Sequence, residues 1–170
     1  NNLDFNHSGK IERVESLGYG RPNLPASPWL TLDISSMGIR DLTGIEYFPC
    51  MAILDCSGNQ LAHLDLSKNT ALESLTCDNN QLSSLDLSGK INLRWLTCTN
   101  NLLDSLNVSG CRNLSFSISS LLGNSHLSHL NLSGTRLSSI DLSAFTQLSS
   151  LKMNQMDFLQ FLSCPNLQLE

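Results

Sequence analysis

The sequence predicts a leucine-rich repeat solenoid, mostly β, on three observations. A frame of 21 residues recurs from Met51, Leu72 and Leu93, as MAILDCSGNQLAHLDLSKNTA, LESLTCDNNQLSSLDLSGKIN and LRWLTCTNNLLDSLNVSGCRN. Leucine dominates an apolar content of 41%, while aromatics supply only 6% of residues. Both halves of each unit alternate apolar and polar residues, with Ser, Asp and Asn where helix formers would otherwise stand. A unit this short cannot bury its leucines alone, so successive units must stack into one continuous core.

Each half of the unit has its own expected element. The first half, L-x-x-L-x-C, reads as one short strand of a parallel sheet. Asn59, Asn80 and Asn101 follow it in step, at a turn whose unpaired backbone groups an amide can satisfy. The second half alternates at Leu64/Leu66, Leu85/Leu87, Leu106/Val108 and Ile140/Leu142, which predicts extended chain on the opposite wall and little helix. Ahead of these units, LTLDISSMGIRDLTGIEYFPC from Leu30 fits a unit one residue longer. The frame resumes at Leu127 (LSHLNLSGTRLSSIDLSAFTQ) and at Leu148 (LSSLKMNQM), where it decays. Residues 114–126 are out of register and read as an irregular or inserted half-unit. The repeats therefore occupy residues 30–170, in units of about 21–22 residues, behind a small N-terminal cap of residues 1–29.

Charge and hydropathy narrow the function. Ten basic against fifteen acidic residues give a formal net charge of −5, with no basic cluster. Nucleic-acid affinity comes mainly from neutralising phosphates, so a nucleic-acid partner is not expected. The uncharged stretch between Arg112 and Arg136 is rich in Ser, Asn and His, so no membrane span is expected there. The chain opens at Asn1 without a Met and reads as a mature or trimmed product.

The cap holds one motif with chemistry. Residues 4–15, DFNHSGKIERVE, space oxygen-bearing side chains as a calcium loop does, with Asp4, Asn6, Ser8 and Glu15 as side-chain ligands. Lys10 would offer its backbone carbonyl, and Glu12 would act through a water. Gly9 permits the sharp bend, and Ile11 would pack inward. The segment resembles the single EF-hand-like or dockerin-like loops that precede bacterial repeat domains. Only three residues come before Asp4 and no second loop follows, so an empty capping turn stands beside calcium as a reading. Residues 17–29, with Pro22, Pro25 and Pro28, form a connector, and Trp29 with Leu30 is expected to close the open end of the core.

In the segments LDCSGNQL, LDLSKNTALESL and GIEYF the chain resembles the short-period leucine-rich repeat proteins of bacterial cell surfaces, including the internalin-like group. The likeness covers roughly residues 30–170. It implies an extracellular or cell-envelope location and a ligand-binding concave face.

The remaining reactive side chains read as structural. Cys56, Cys77 and Cys98 recur at an inward position, continued elsewhere by Ile34, Leu132 and Met153, and are expected as buried thiols rather than disulfides or metal ligands. Cys50, Cys111 and Cys164 fall at turns. His126 and His129 could share a metal or simply decorate a Ser-rich surface. Asp65, Asp86 and Asp141, with Asn107, make a ladder that would bind a cation or accept backbone and Ser hydroxyl hydrogen bonds. No hydrolase, zinc-protease or nucleotide-binding motif is present, so an enzyme is not expected.

The expected function is a non-catalytic binding module of the cell surface, acting in protein–protein interaction or adhesion. Its face would comprise Ile53 and Asp55; Ser74, Thr76 and Asp78; Trp95, Thr97 and Thr99; His129 and Asn131; and Lys152. Trp95 is the large aromatic of that face, and interface hot spots favour Trp. Carbohydrate binding, with Trp95 stacked on a sugar ring, and a purely structural spacer are the alternatives.

Overall fold

The computed structural model describes residues 30–115, 118–157 and 159–164. The expected cap, residues 1–29, lies outside the described residues.

Successive coils lay short strands on two walls. The first wall pairs β1 (Leu30–Asp33), β2 (Met51–Asp55), β3 (Ser74–Thr76) and β5 (Trp95–Thr97), all parallel. The second pairs β4 (Ser84–Asp86), β6 (Ser105–Asn107), β7 (His129–Asn131) and β9 (Ser150–Lys152), also parallel. Between the walls lies one apolar core. Leu54, Leu75 and Leu96 enter it from the first wall and Leu85, Leu106 and Leu130 from the second, each no more than 2% exposed. Helical structure among the described residues is limited to two short 3-10 segments, Ile45–Tyr47 and Ile118–Leu121.

The bend after the first wall is held by a ladder of buried amides. Asn80 accepts the Leu61 N–H at 3.0 Å and donates to the carbonyls of Cys56 and Cys77, at 3.0 and 3.2 Å. Asn59 and Asn101 repeat this pattern one coil before and after. Each amide thus ties its own turn to the preceding coil, in a place where water cannot serve the backbone.

At the other bend, a column of unlike residues does similar work. Asn69, Lys90, Cys111 and Thr135 are all buried. The first three donate from the side chain to carbonyls of the preceding coil: Asn69 to Ile45 and Phe48, Lys90 Nζ to Ser67, and Cys111 Sγ to Leu87. Thr135 Oγ1 donates within its own turn, to Leu132, at 2.8 Å.

Residues 114–126 are not an insertion but the first half of a longer coil. Ser115 bridges to Trp95, the chain then makes the 3-10 segment, and Leu121 takes the fully buried place above Cys98. Asn124 continues the amide ladder, accepting the Leu103 N–H and donating to the carbonyls of Cys98 and Leu121. This half-coil is three residues longer than its predecessors, so the following strands change walls relative to the 21-residue frame. His129, Leu130 and Asn131 pair with Ser105, Leu106 and Asn107, 24 residues earlier. They belong to the second wall, as does β9 behind them. Leu132 therefore follows Val108 rather than Cys98, with the Val108 N–H donating to the Asn131 carbonyl. Asp141 leaves the second-wall ladder for the same reason. It sits on β8 (Ser139–Asp141), which pairs with β10 (Phe161–Ser163). Those two strands follow second-wall strands by ten and eleven residues, the interval at which earlier coils return to the first wall.

Candidate functional site

Three outward rows run across the first wall, set by its register. Ile53, Ser74 and Trp95 form one row, and Asp33, Asp55, Thr76 and Thr97 the next. Ser57, Asp78 and Thr99 continue past the strand ends, where the Gly58 N–H donates to Asp78 and the Asn79 N–H to Thr99. Trp95 is 57% exposed and Ile53 36%, so two large apolar side chains stand in one row with only Ser74 between them. Parallel strands lie about 4.8 Å apart, which separates the two by about 10 Å.

Local hydrogen bonds fix the carboxylates of this wall. Asp33 Oδ1 accepts from the Ser35 N–H and hydroxyl, and Asp55 Oδ1 from those of Ser57, at 2.6–3.0 Å. The Ser35 backbone N–H, and after it the hydroxyl, hold Asp33 below the usual carboxylate range. Asp78 Oδ1 accepts the Thr99 N–H at 2.6 Å. Arg94, the cation beside Trp95, pairs with Glu73 at 3.6 Å.

The expected face is therefore divided. Ile53, Asp55, Ser74, Thr76, Asp78, Trp95, Thr97 and Thr99 share the first wall, but His129, Asn131 and Lys152 stand on the second. The physical reason is the longer coil at residues 114–126. A visible signal was passed over: LNLSG at Leu130–Gly134 copies LNVSG at Leu106–Gly110, and both glycines hold positive φ, 74° and 69°.

On the second wall, Ser105, Asn107, His129, Asn131, Ser150 and Lys152, together with Leu106 and Leu130, line a shallow depression of about 190 Å³. The aspartate ladder resolves into turns. Asp65, Asp86, Asn107 and Asp141 each accept the N–H of the serine two residues on, at 2.8–3.1 Å. Those serine N–H groups lower the Asp65 and Asp141 carboxyls.

One cluster was not foreseen. Ser128 Oγ lies within hydrogen-bond distance of both Asp104 Oδ1 and His129 Nδ1, and His129 stands 3.7 Å from Asp104. The serine hydroxyl thus bridges two exposed side chains, donating to Asp104 and touching the His129 ring. Among the described residues no group of three or more His, Cys, Asp or Glu could hold a metal. The loop residues Asp4, Asn6, Ser8, Lys10, Glu12 and Glu15 lie outside the described residues.

Cys56, Cys77 and Cys98 are free thiols stacked in the core, each fully buried. Their Sγ atoms donate to the carbonyls of Thr76, Thr97 and Ser120 in the next coil, at 3.4–3.6 Å. Burial pushes Cys56 and Cys98 up to about 12, and Cys77 well above the usual thiol range.

Fold and ladders define a leucine-rich repeat β-solenoid with two polar walls over one leucine core. No family model matches the chain, and no curated protein matches it. Solved structures do. One is the functional domain of InlJ from Listeria monocytogenes, which includes a cysteine ladder (23% identity over 84% of this chain and 40% of that chain, TM-score 0.41). Another is an internalin, InlF, of the same species (18% identity, 93% and 64%, TM-score 0.38). A third is a leucine-rich repeat protein of Leptospira interrogans (17% identity, 76% and 41%, TM-score 0.30). The chain spans 40–64% of the length of these three. No described helix is long and apolar enough to cross a membrane.

Proposed function

We propose that the chain is a non-catalytic protein-binding module of a bacterial cell surface, and that it docks its partner on the first wall. The observation that carries this reading is the row Ile53–Ser74–Trp95. Leaving a Trp 57% exposed contributes little to the fold, whereas covering it in an interface would contribute more than any neighbour on that wall. The surface location rests on the resemblance of the repeats. The residue 4–15 loop fits such a place, because a weak calcium site is filled only where calcium is abundant.

The test is capture of surface proteins from candidate host and bacterial cells on the intact chain, beside its Trp95→Ala variant. Loss of capture with an unchanged melting temperature supports the first wall. Capture that survives the substitution moves the site elsewhere.

A further inference from the structure

We propose that the partner segment received by the first wall is basic and extended, carrying two Arg or Lys side chains about four residues apart. This rests on the reading of that wall as the docking surface.

Charge complementarity carries the inference. Asp33 and Asp55 are register partners, so two carboxylates stand side by side across neighbouring strands, an arrangement that weakens a sheet. The turn does not need that charge. On the second wall Asn107 and Asn131 make the same bond to the serine two residues on, both at 3.1 Å, without it. One oxygen of each first-wall carboxylate is held by its serine, which leaves Oδ2 of both directed by a fixed side chain and open to a ligand. Asp78 adds a third acid beyond the strand ends. Arg94 neutralises none of these, being paired with Glu73.

Trp95 stands at the other end of the face, and its ring is the best aromatic platform for a cation. From Trp95 to the strands of Asp55 and Asp33 is two to three strand spacings, about 10–14 Å. An extended segment crossing the strands advances about 3.3 Å per residue, so residues i and i+4 point the same way about 13 Å apart. One cation then lies over Trp95 and the other against the Asp33–Asp55 pair, while residue i+2 rests on Ser74 and Ile53.

A random dodecapeptide display library selected on the immobilised intact chain tests this. The expected winners carry Arg or Lys four residues apart and weaken at least about tenfold on an Asp33→Asn, Asp55→Asn double variant. Asn keeps the serine-capping bond, so that variant should hold its fold, and an unchanged melting temperature verifies it. Winners without a basic excess, or winners that bind the double variant equally well, overturn the basic partner. So does the absence of any enrichment over an irrelevant repeat protein. Peptides that also ignore Trp95→Ala overturn the docking wall itself.

Discussion

Asn107 and Asn131 are register partners on the second wall although 24 residues separate them, where Asp86 and Asn107 one coil earlier are 21 apart. The three extra residues are absorbed between Ser115 and His129 on the way round. Within that stretch Gly123 passes very close to Asn100 of the coil before it.

Gly123→Ala should therefore be strongly destabilising. A Cβ at that position would collide with Asn100 Oδ1 and meet that residue's backbone N and Cα at 2.8 and 2.9 Å, with φ at +82°. A left-handed non-glycine residue alone costs about 1–3 kcal/mol, and the backbone clash adds to it. Gly89→Ala is the control, with φ at +71° and no neighbour within 4 Å. Denaturant melts that showed equal losses for the two variants would contradict the close passage.

The amide ladder predicts that Asn80→Leu fails despite adding apolar volume. It would strand the buried Leu61 N–H, and it would remove one of two amide donors from each of the Cys56 and Cys77 carbonyls, which keep Asn59 and Asn101 respectively. A buried unpaired N–H costs about 1–3 kcal/mol, and a loss in that range is expected. Hydrogen exchange at the Leu61 amide should accelerate first.

Leu75 and Trp95 should separate stability from binding. Leu75 is 1% exposed, so Leu75→Ala should lose about 2–5 kcal/mol. Trp95→Ala should lose far less, because more than half of its surface is already in water. Chemical melts of both variants check the pair.

The thiol ladder predicts resistance to alkylation in the native state and alkaline instability. The folded Cys56 and Cys98 thiols titrate at about 12, against an ordinary value of 9.0. The folded protein thus holds these protons more tightly than the unfolded chain. The resulting stability is complete below about pH 9, and is lost as pH rises from there through about 12. Melting temperatures that stayed flat across this window would refute the buried thiols.

For the loop at residues 4–15, calorimetry with millimolar calcium should report binding on the order of 10⁻⁴ to 10⁻³ M. Asp4→Ala with Glu15→Ala should abolish the heat. Identical melting of both proteins in calcium and in chelator would leave the loop a capping turn.

The architecture was legible because the 21-residue spacing of Leu75, Leu96 and their neighbours leaves stacking as the way to bury them. Cys56, Cys77 and Cys98 were equally legible, since their in-step recurrence has a clear steric meaning. The path around the core was not. Alignment by leucine spacing alone matched Leu127 to Leu93, because both halves of the unit share the L-x-x-L pattern and only the turn chemistry tells them apart. The residue after the turn glycine carried that information, since Asn59 follows Gly58 on the first wall whereas Cys111 and Thr135 follow Gly110 and Gly134 on the second. The Asp104–Ser128–His129 cluster lay beyond reach for the same reason, since it joins residues of two coils whose offset is 24.

The column Asn69, Lys90, Cys111 and Thr135 has a consequence for how such a chain can change over generations. An amide, an ammonium, a thiol and a hydroxyl fill equivalent places, each donating from the side chain to at least one carbonyl. Side-chain identity there is interchangeable, provided that a donor reaches inward from a buried position. The backbone therefore repeats at this bend although the sequence there does not.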